Sequence, residues 1–157
     1  MPLDPGAAAA QFLRDERHGP LPAMLLVLTV VTGLVDAVSY LKLGHVFVAN
    51  MTGNVVFLGF AVAGATDFSI PASVVAVGAF LVGALTGGRL GASAGHHRGR
   101  FLAIASYIQI GLVGAALATS MLATDTDAGF GRYGLIVLLA LAMGLQNATA
   151  RAAPTLM

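Results

Sequence analysis

The chain has 157 residues, enough for one domain, and carries 57% apolar against 10% charged residues. So few charges cannot cover a soluble domain of this size, and a mean hydropathy of +0.87 excludes an ordinary soluble fold. A net charge of +1 gives no electrostatic basis for nucleic-acid binding, and the absence of cysteine excludes disulfides, thiolate metal sites and cysteine nucleophiles.

In chain order, residues 1–20 read as a flexible tail. They are polar or small, with Pro2, Pro5 and the cluster Arg14, Asp15, Glu16, Arg17. The apolar run that follows is too long for the core of a signal peptide. Five apolar segments come next, at about 21–43, 46–65, 70–92, 101–123 and 132–150. Several reach about 20 residues, the length that crosses a hydrocarbon core of roughly 30 Å as helix. The fold class is therefore all-α, an integral membrane helical bundle with a membrane domain over 21–151 and a short C-terminal tail at 152–157. The reading favours five spans, because 46–65 is long enough and contains the uninterrupted "VVFLGFAVAGA". Four spans plus a re-entrant segment is the alternative.

Arg89, Arg98 and Arg100 flank the connection between the third and fourth segments, while Asp125 and Asp127 lie between the fourth and fifth. The positive-inside rule puts the 89–100 connection in the cytoplasm and the acidic one outside. Five spans would place five Lys and Arg inside and three outside, and the re-entrant alternative six and two. The difference does not decide the side of the N-terminus. The location expected is the inner (plasma) membrane of a cell, crossed several times.

Polar groups concentrate in "VDAVSYLKLGHVFVANMTGNVVFLG", residues 35–59. Thr29, Thr32, Gly33, Asp36 and Tyr40 share one face of a helix by their spacing. A carboxylate within a span costs about 2.5–3.5 kcal/mol at the bilayer centre. Asp36 lies nearer the segment's end, at about 9 Å by helical rise. It should still face protein or water, as a proton or cation relay, a substrate contact, or a packing residue paired with a neighbouring helix. Asn50, Thr52, Gly53 and Asn54 open the next segment. Asn and Gly permit irregular backbone, which at membrane depth is tolerated only where protein or a water-filled cavity satisfies it. An ordinary helix start capped by Asn50 or Thr52 is the other reading. Gly83, Gly87, Gly91 and Gly95 recur every fourth residue and form a small-residue face for close helix packing. Gln109 reads as interhelical glue. His96 and His97 are adjacent and point in different directions, so they suggest no metal site.

"TGLVDAVSYL" (32–41) aligns with "MGLQNATARA" (143–152), with Gly33 on Gly144, Leu34 on Leu145, Ala37 on Ala148 and Asp36 on Asn147. The expectation is a parallel repeat, with both copies in the same orientation. "GLVDAVSYLKLGHVFVANMTGNVVFLG" followed by "GLQNATAR" resembles the YoaK family of bacterial inner-membrane proteins, from about Met24 to Arg151. Members of that family continue past this point with a Thr-rich motif and further membrane segments. The resemblance therefore implies a truncated or divergent member. It implies a fold and a location, and no activity is assigned to the family.

These features favour a small-solute or ion transporter, or the remnant of one. Asp36 would be its titratable group, with Tyr40, Asn50, Thr52, Asn54, Gln146 and Asn147 completing a polar site within the membrane. The alternative is a non-transporting membrane protein that assembles, as a homo-oligomer or with partner helices, through Gly83, Gly87 and Gly91. No acid/base pair, phosphate-binding loop or His-Glu metal pair appears. The expectation is a protein that is not an enzyme and needs no cofactor or metal. Its surroundings are the lipid bilayer, and its substrate is not legible.

Overall fold

The computed structural model describes residues 21–93, 98–122 and 129–155. The expected tails before 21 and after 155, Gly95, His96, His97, Asp125 and Asp127 lie outside them. The described residues form five helices: α1 (Leu21–Lys42), α2 (Met51–Val62), α3 (Ile70–Ser93), α4 (Arg98–Leu122) and α5 (Phe130–Thr155). Four are long and apolar enough to cross a membrane, over Pro22–Lys42, Ile70–Ser93, Gly99–Leu122 and Phe130–Ala152. Leu117, Ile110, Leu85 and Val74 are among the large apolar side chains left exposed, as expected where lipid replaces water around a bundle.

The second segment, 46–65, departs from the favoured reading. Helix α2 has 12 residues, a length of about 18 Å, well short of a hydrocarbon core of roughly 30 Å. The cause is local. Gly44 (φ 78) and His45 (φ 59) adopt left-handed backbone, and the His45 N–H donates to the Tyr40 carbonyl at 3.0 Å. This is the helix-ending arrangement that glycine permits. Residues 43–50 are then non-helical. A second such stop, with Gly64 at φ 100 and the Ala65 N–H on the Phe60 carbonyl at 3.0 Å, ends α2. Ser69 caps α3, accepting from the Ala72 N–H at 3.4 Å. Pro71 sits in that helix's first turn, where no N–H is needed.

The chain divides into two compact units, one ending at Leu34 and one beginning at Val35. In the first, Thr29 and Thr32 return their hydroxyls to the carbonyls of Leu25 and Leu28, at 2.8 and 2.9 Å. In the second, α3 and α5 form the main helix pair, with α4 against α5 and α2 against α3. Its core gathers Leu43, Val46 and Val48 from the non-helical segment, Ala72 and Ala76 from α3, and Ile136, Ala140 and Met143 from α5. The irregular backbone thus lies inside the bundle.

Small residues set the α3–α5 spacing. A side chain at Gly83 would collide with the Leu141 backbone, one at Gly144 with the Phe80 backbone, and one at Gly87 with Ala148 Cβ at 2.8 Å. Gly91 differs, since its nearest neighbours, Ala152 and Phe101, lie at an ordinary 3.5 Å. The glycine face proposed for assembly between molecules is therefore used by α5 within the chain.

Candidate functional site: a re-entrant hairpin

After α1 the chain doubles back. Asp36, about 9 Å before the helix end by helical rise, accepts at Oδ1 from the Val48 N–H at 3.0 Å and the Ala49 N–H at 2.7 Å. Residues 43–50 therefore return beside the last turns of α1. Asn54, fully buried, clamps the same stretch from the other side. Its Oδ1 accepts from the Phe47 N–H at 2.9 Å and its Nδ2 donates to the Phe47 carbonyl at 2.6 Å. Asn50 caps α2, accepting from the Gly53 N–H at 3.4 Å. Gly53 is required here because a Cβ would meet the Phe47 ring at 2.5 Å.

The open end of the hairpin is tied at three places. His45 Nδ1 donates to the Asp67 carbonyl at 3.0 Å. Arg132, at the start of α5, donates Nε to the Leu43 carbonyl at 2.8 Å and Nη2 to the Gly44 carbonyl at 3.4 Å. The guanidinium fills the space beside Gly44, so only glycine fits there. Its charge also faces the carbonyl end of α1, where a cation is favoured. Packed aromatic rings form the third tie. Tyr40 meets His45 at 4.8 Å and Phe47 at 5.4 Å, and Phe57 meets Phe68 at 4.6 Å. Ala37, Tyr40, Leu41, Phe47 and Phe57 line an open apolar groove of about 380 Å³.

These contacts also fix direction. Residues 35–42 and α2 both end at the His45–Asp67 contact. Helix α3 then runs back along α2. Helices α3 and α5 run in parallel, since Phe80 faces Gly144, Gly87 faces Ala148 and Gly91 faces Ala152. Helix α5 therefore runs opposite to Val35–Lys42. The expected parallel repeat is corrected: the two motifs stand inverted, because α2 is too short to cross and, among the described residues, α5 is the fourth helix long enough to do so, not the fifth.

The structure brings together Asp36, Tyr40, Asn50 and Asn54 around 43–50. Thr52 is exposed on the outer side of α2. Gln146 and Asn147 lie elsewhere, on α5: Gln146 shares a hydrogen bond with Gln109 of α4, and Asn147 is exposed. Sequence reading missed Arg132 and the backbone amides of 47–49. An arginine opening an apolar helix was the available signal for the first. The amides carry no sequence signal, because every residue but proline has one. Among the described residues no group of three His, Cys, Asp or Glu side chains could hold a metal ion.

Comparison with known proteins identifies the family. A family model described as "Protein of unknown function (DUF1275)" matches residues 24–156. The UPF0700 transmembrane protein YoaK of Bacillus subtilis (strain 168) is 42% identical over 62 residues, which is 40% of this chain and 28% of that protein. The match thus spans less than a third of that relative's length. No solved structure matches the chain. With four helices fit to cross a membrane and a family model covering most of its length, the chain belongs to the DUF1275 family, as a YoaK-like membrane-spanning protein.

Proposed function

We propose that this protein is a non-enzymatic small-solute or ion transporter of the inner (plasma) membrane, or a part of one, with the re-entrant hairpin at its transport site. The observation that carries the reading is the pairing of an inverted repeat with non-helical backbone at membrane depth. Transporters of several folds are built from inverted repeats, and their sites lie where helices are interrupted. Unwound backbone in a bilayer is costly unless protein satisfies it. Here a carboxylate and an amide meet that need, holding Val48, Ala49 and Phe47. Simple membrane anchoring requires neither. Asp36 is both the clamp on the hairpin and its one carboxylate, so a proton or cation arriving there would compete with the amides and loosen the hairpin.

The test uses the purified protein in vesicles that enclose a pH-sensitive dye, with imposed sodium, potassium and proton gradients. Flux above empty vesicles is expected, and Asp36→Asn should insert normally but lose the proton-coupled part. Flux equal to that of empty vesicles under every gradient would refute the transport reading, and undiminished pH-dependent flux in Asp36→Asn would refute the role of the carboxylate.

A further inference from the structure

The open groove beside the hairpin is lined from α1 by Ala37, Tyr40 and Leu41 and from the hairpin by Phe47 and Phe57, around about 380 Å³. Ala37 and Leu41 are exposed, Leu41 at 77%, so the space faces the surroundings of the bundle and not its core. At this depth those surroundings are bilayer, because the span Pro22–Lys42 contains all three of the α1 residues. Apart from the Tyr40 hydroxyl, the lining offers water no side-chain group to bond, and an apolar space of this kind excludes it. The material at hand to fill it is the hydrocarbon chain of a lipid, whose contacts an empty groove would forfeit.

Charge at the end of the groove selects the headgroup. Lys42 follows Leu41 directly, in the last turn of α1, where the span ends. It is exposed, and its flexible stem lets the ammonium lie at headgroup level. The carbonyl end of a helix ordinarily repels an anion. Here Arg132 donates to the carbonyls of Leu43 and Gly44 and offsets that field. Among the described residues at this end of the bundle, two lasting cations, Lys42 and Arg132, stand against one carboxylate, Asp67. Tyr40 lies two residues from the end of the span, where tyrosine rings sit at the membrane–water interface. We infer that this groove binds one anionic phospholipid of the leaflet where α1 ends, with an acyl chain against Tyr40, Phe47 and Phe57 and the phosphate at Lys42. The site uses neither Asp36 nor Asn54, so it stands apart from the transport reading.

The chain has no tryptophan, so Leu41→Trp places a single fluorophore on the rim of the groove. The full-length protein is reconstituted in phosphatidylcholine vesicles that carry a minor fraction of lipid with brominated acyl chains, which quench tryptophan on contact. Brominated phosphatidylglycerol should quench as though enriched about fivefold over brominated phosphatidylcholine, the worth of one lysine toward anionic lipid. Adding Lys42→Gln should make the two lipids quench alike. Adding Ala37→Phe instead, which fills the groove from an exposed position, should remove the enrichment although Lys42 remains. A reporter moved to Ala118→Trp, exposed on α4, should show equal quenching by both lipids. Circular dichroism checks that each variant keeps its helices. Equal quenching by the two lipids at position 41, enrichment that survives Lys42→Gln or Ala37→Phe, or the same enrichment at position 118 would each overturn the inference.

Discussion

Replacing Asp36 with alanine should unfasten the hairpin while leaving the helices standing. The carboxylate oxygen is the acceptor for two amides, Val48 N–H at 3.0 Å and Ala49 N–H at 2.7 Å. Val48 is fully buried, so water cannot replace the lost acceptor there. Each stranded donor costs about 1–3 kcal/mol, which puts Asp36→Ala at roughly 2–6 kcal/mol. Asp36→Asn keeps an acceptor oxygen at the same place and should cost about 1 kcal/mol or less on that account. Detergent-titrated unfolding measures the two losses, and hydrogen exchange read by mass spectrometry locates them. The expected pattern is fast exchange over 43–54 in Asp36→Ala, near-native protection there in Asp36→Asn, and unchanged protection of α3 and α5 in both. Should Asp36→Ala unfold within about 0.5 kcal/mol of the parent, the range of an ordinary surface change, with 48 and 49 still protected, the hairpin is held by packing and the clamp assigned to Asp36 is wrong.

Gly87→Leu should destabilise the α3–α5 pair by more than the roughly 1–3 kcal/mol of ordinary overpacking, because the added atoms meet the Leu145 carbonyl oxygen at 3.1 Å as well as Ala148. Gly91→Ala should be nearly neutral, and equal losses in the two would show that the glycines do not set the spacing. Gln109→Leu or Gln146→Leu alone leaves one amide unpaired and should cost about 0.6–2 kcal/mol, whereas the double substitution should recover part of that loss in a double-mutant cycle; simple additivity would mean that the pair is not coupled. Asp67→Cys should be labelled from outside intact cells and Ser93→Cys should not, since Asp67 lies at the hairpin's open end and Ser93 near Arg89 and the arginines that open α4; the reverse pattern would invert the topology.

The sequence by itself determined the class and the helices. Apolar runs of spanning length leave a chain no other way to satisfy its backbone in lipid, so α1, α3, α4 and α5 were legible within a few residues. The glycines at 83 and 87 were legible as a packing face, because small residues four apart leave a groove wherever they occur in a helix. Their partner was not legible. That α5 fills the groove from within the chain depends on Gly144 meeting Phe80 across 64 positions, a pairing that no local pattern encodes. The length of "VVFLGFAVAGA" suggested a crossing, but hydropathy reports only that a segment avoids water, and backbone direction decides whether it crosses. Here Gly44, His45 and Gly64 break the helices, and the side chains of Asp36, Asn54 and Arg132 hold the break in place. With that crossing removed, the repeated motif became inverted instead of parallel. The polar residues of 35–54 were visible as an anomaly in an apolar chain. That Asp36 and Asn54 satisfy unwound backbone, while Asn147 bonds no described residue, was decided by tertiary structure, because hydrogen bonding to backbone depends on where the chain folds back and not on which residues lie there.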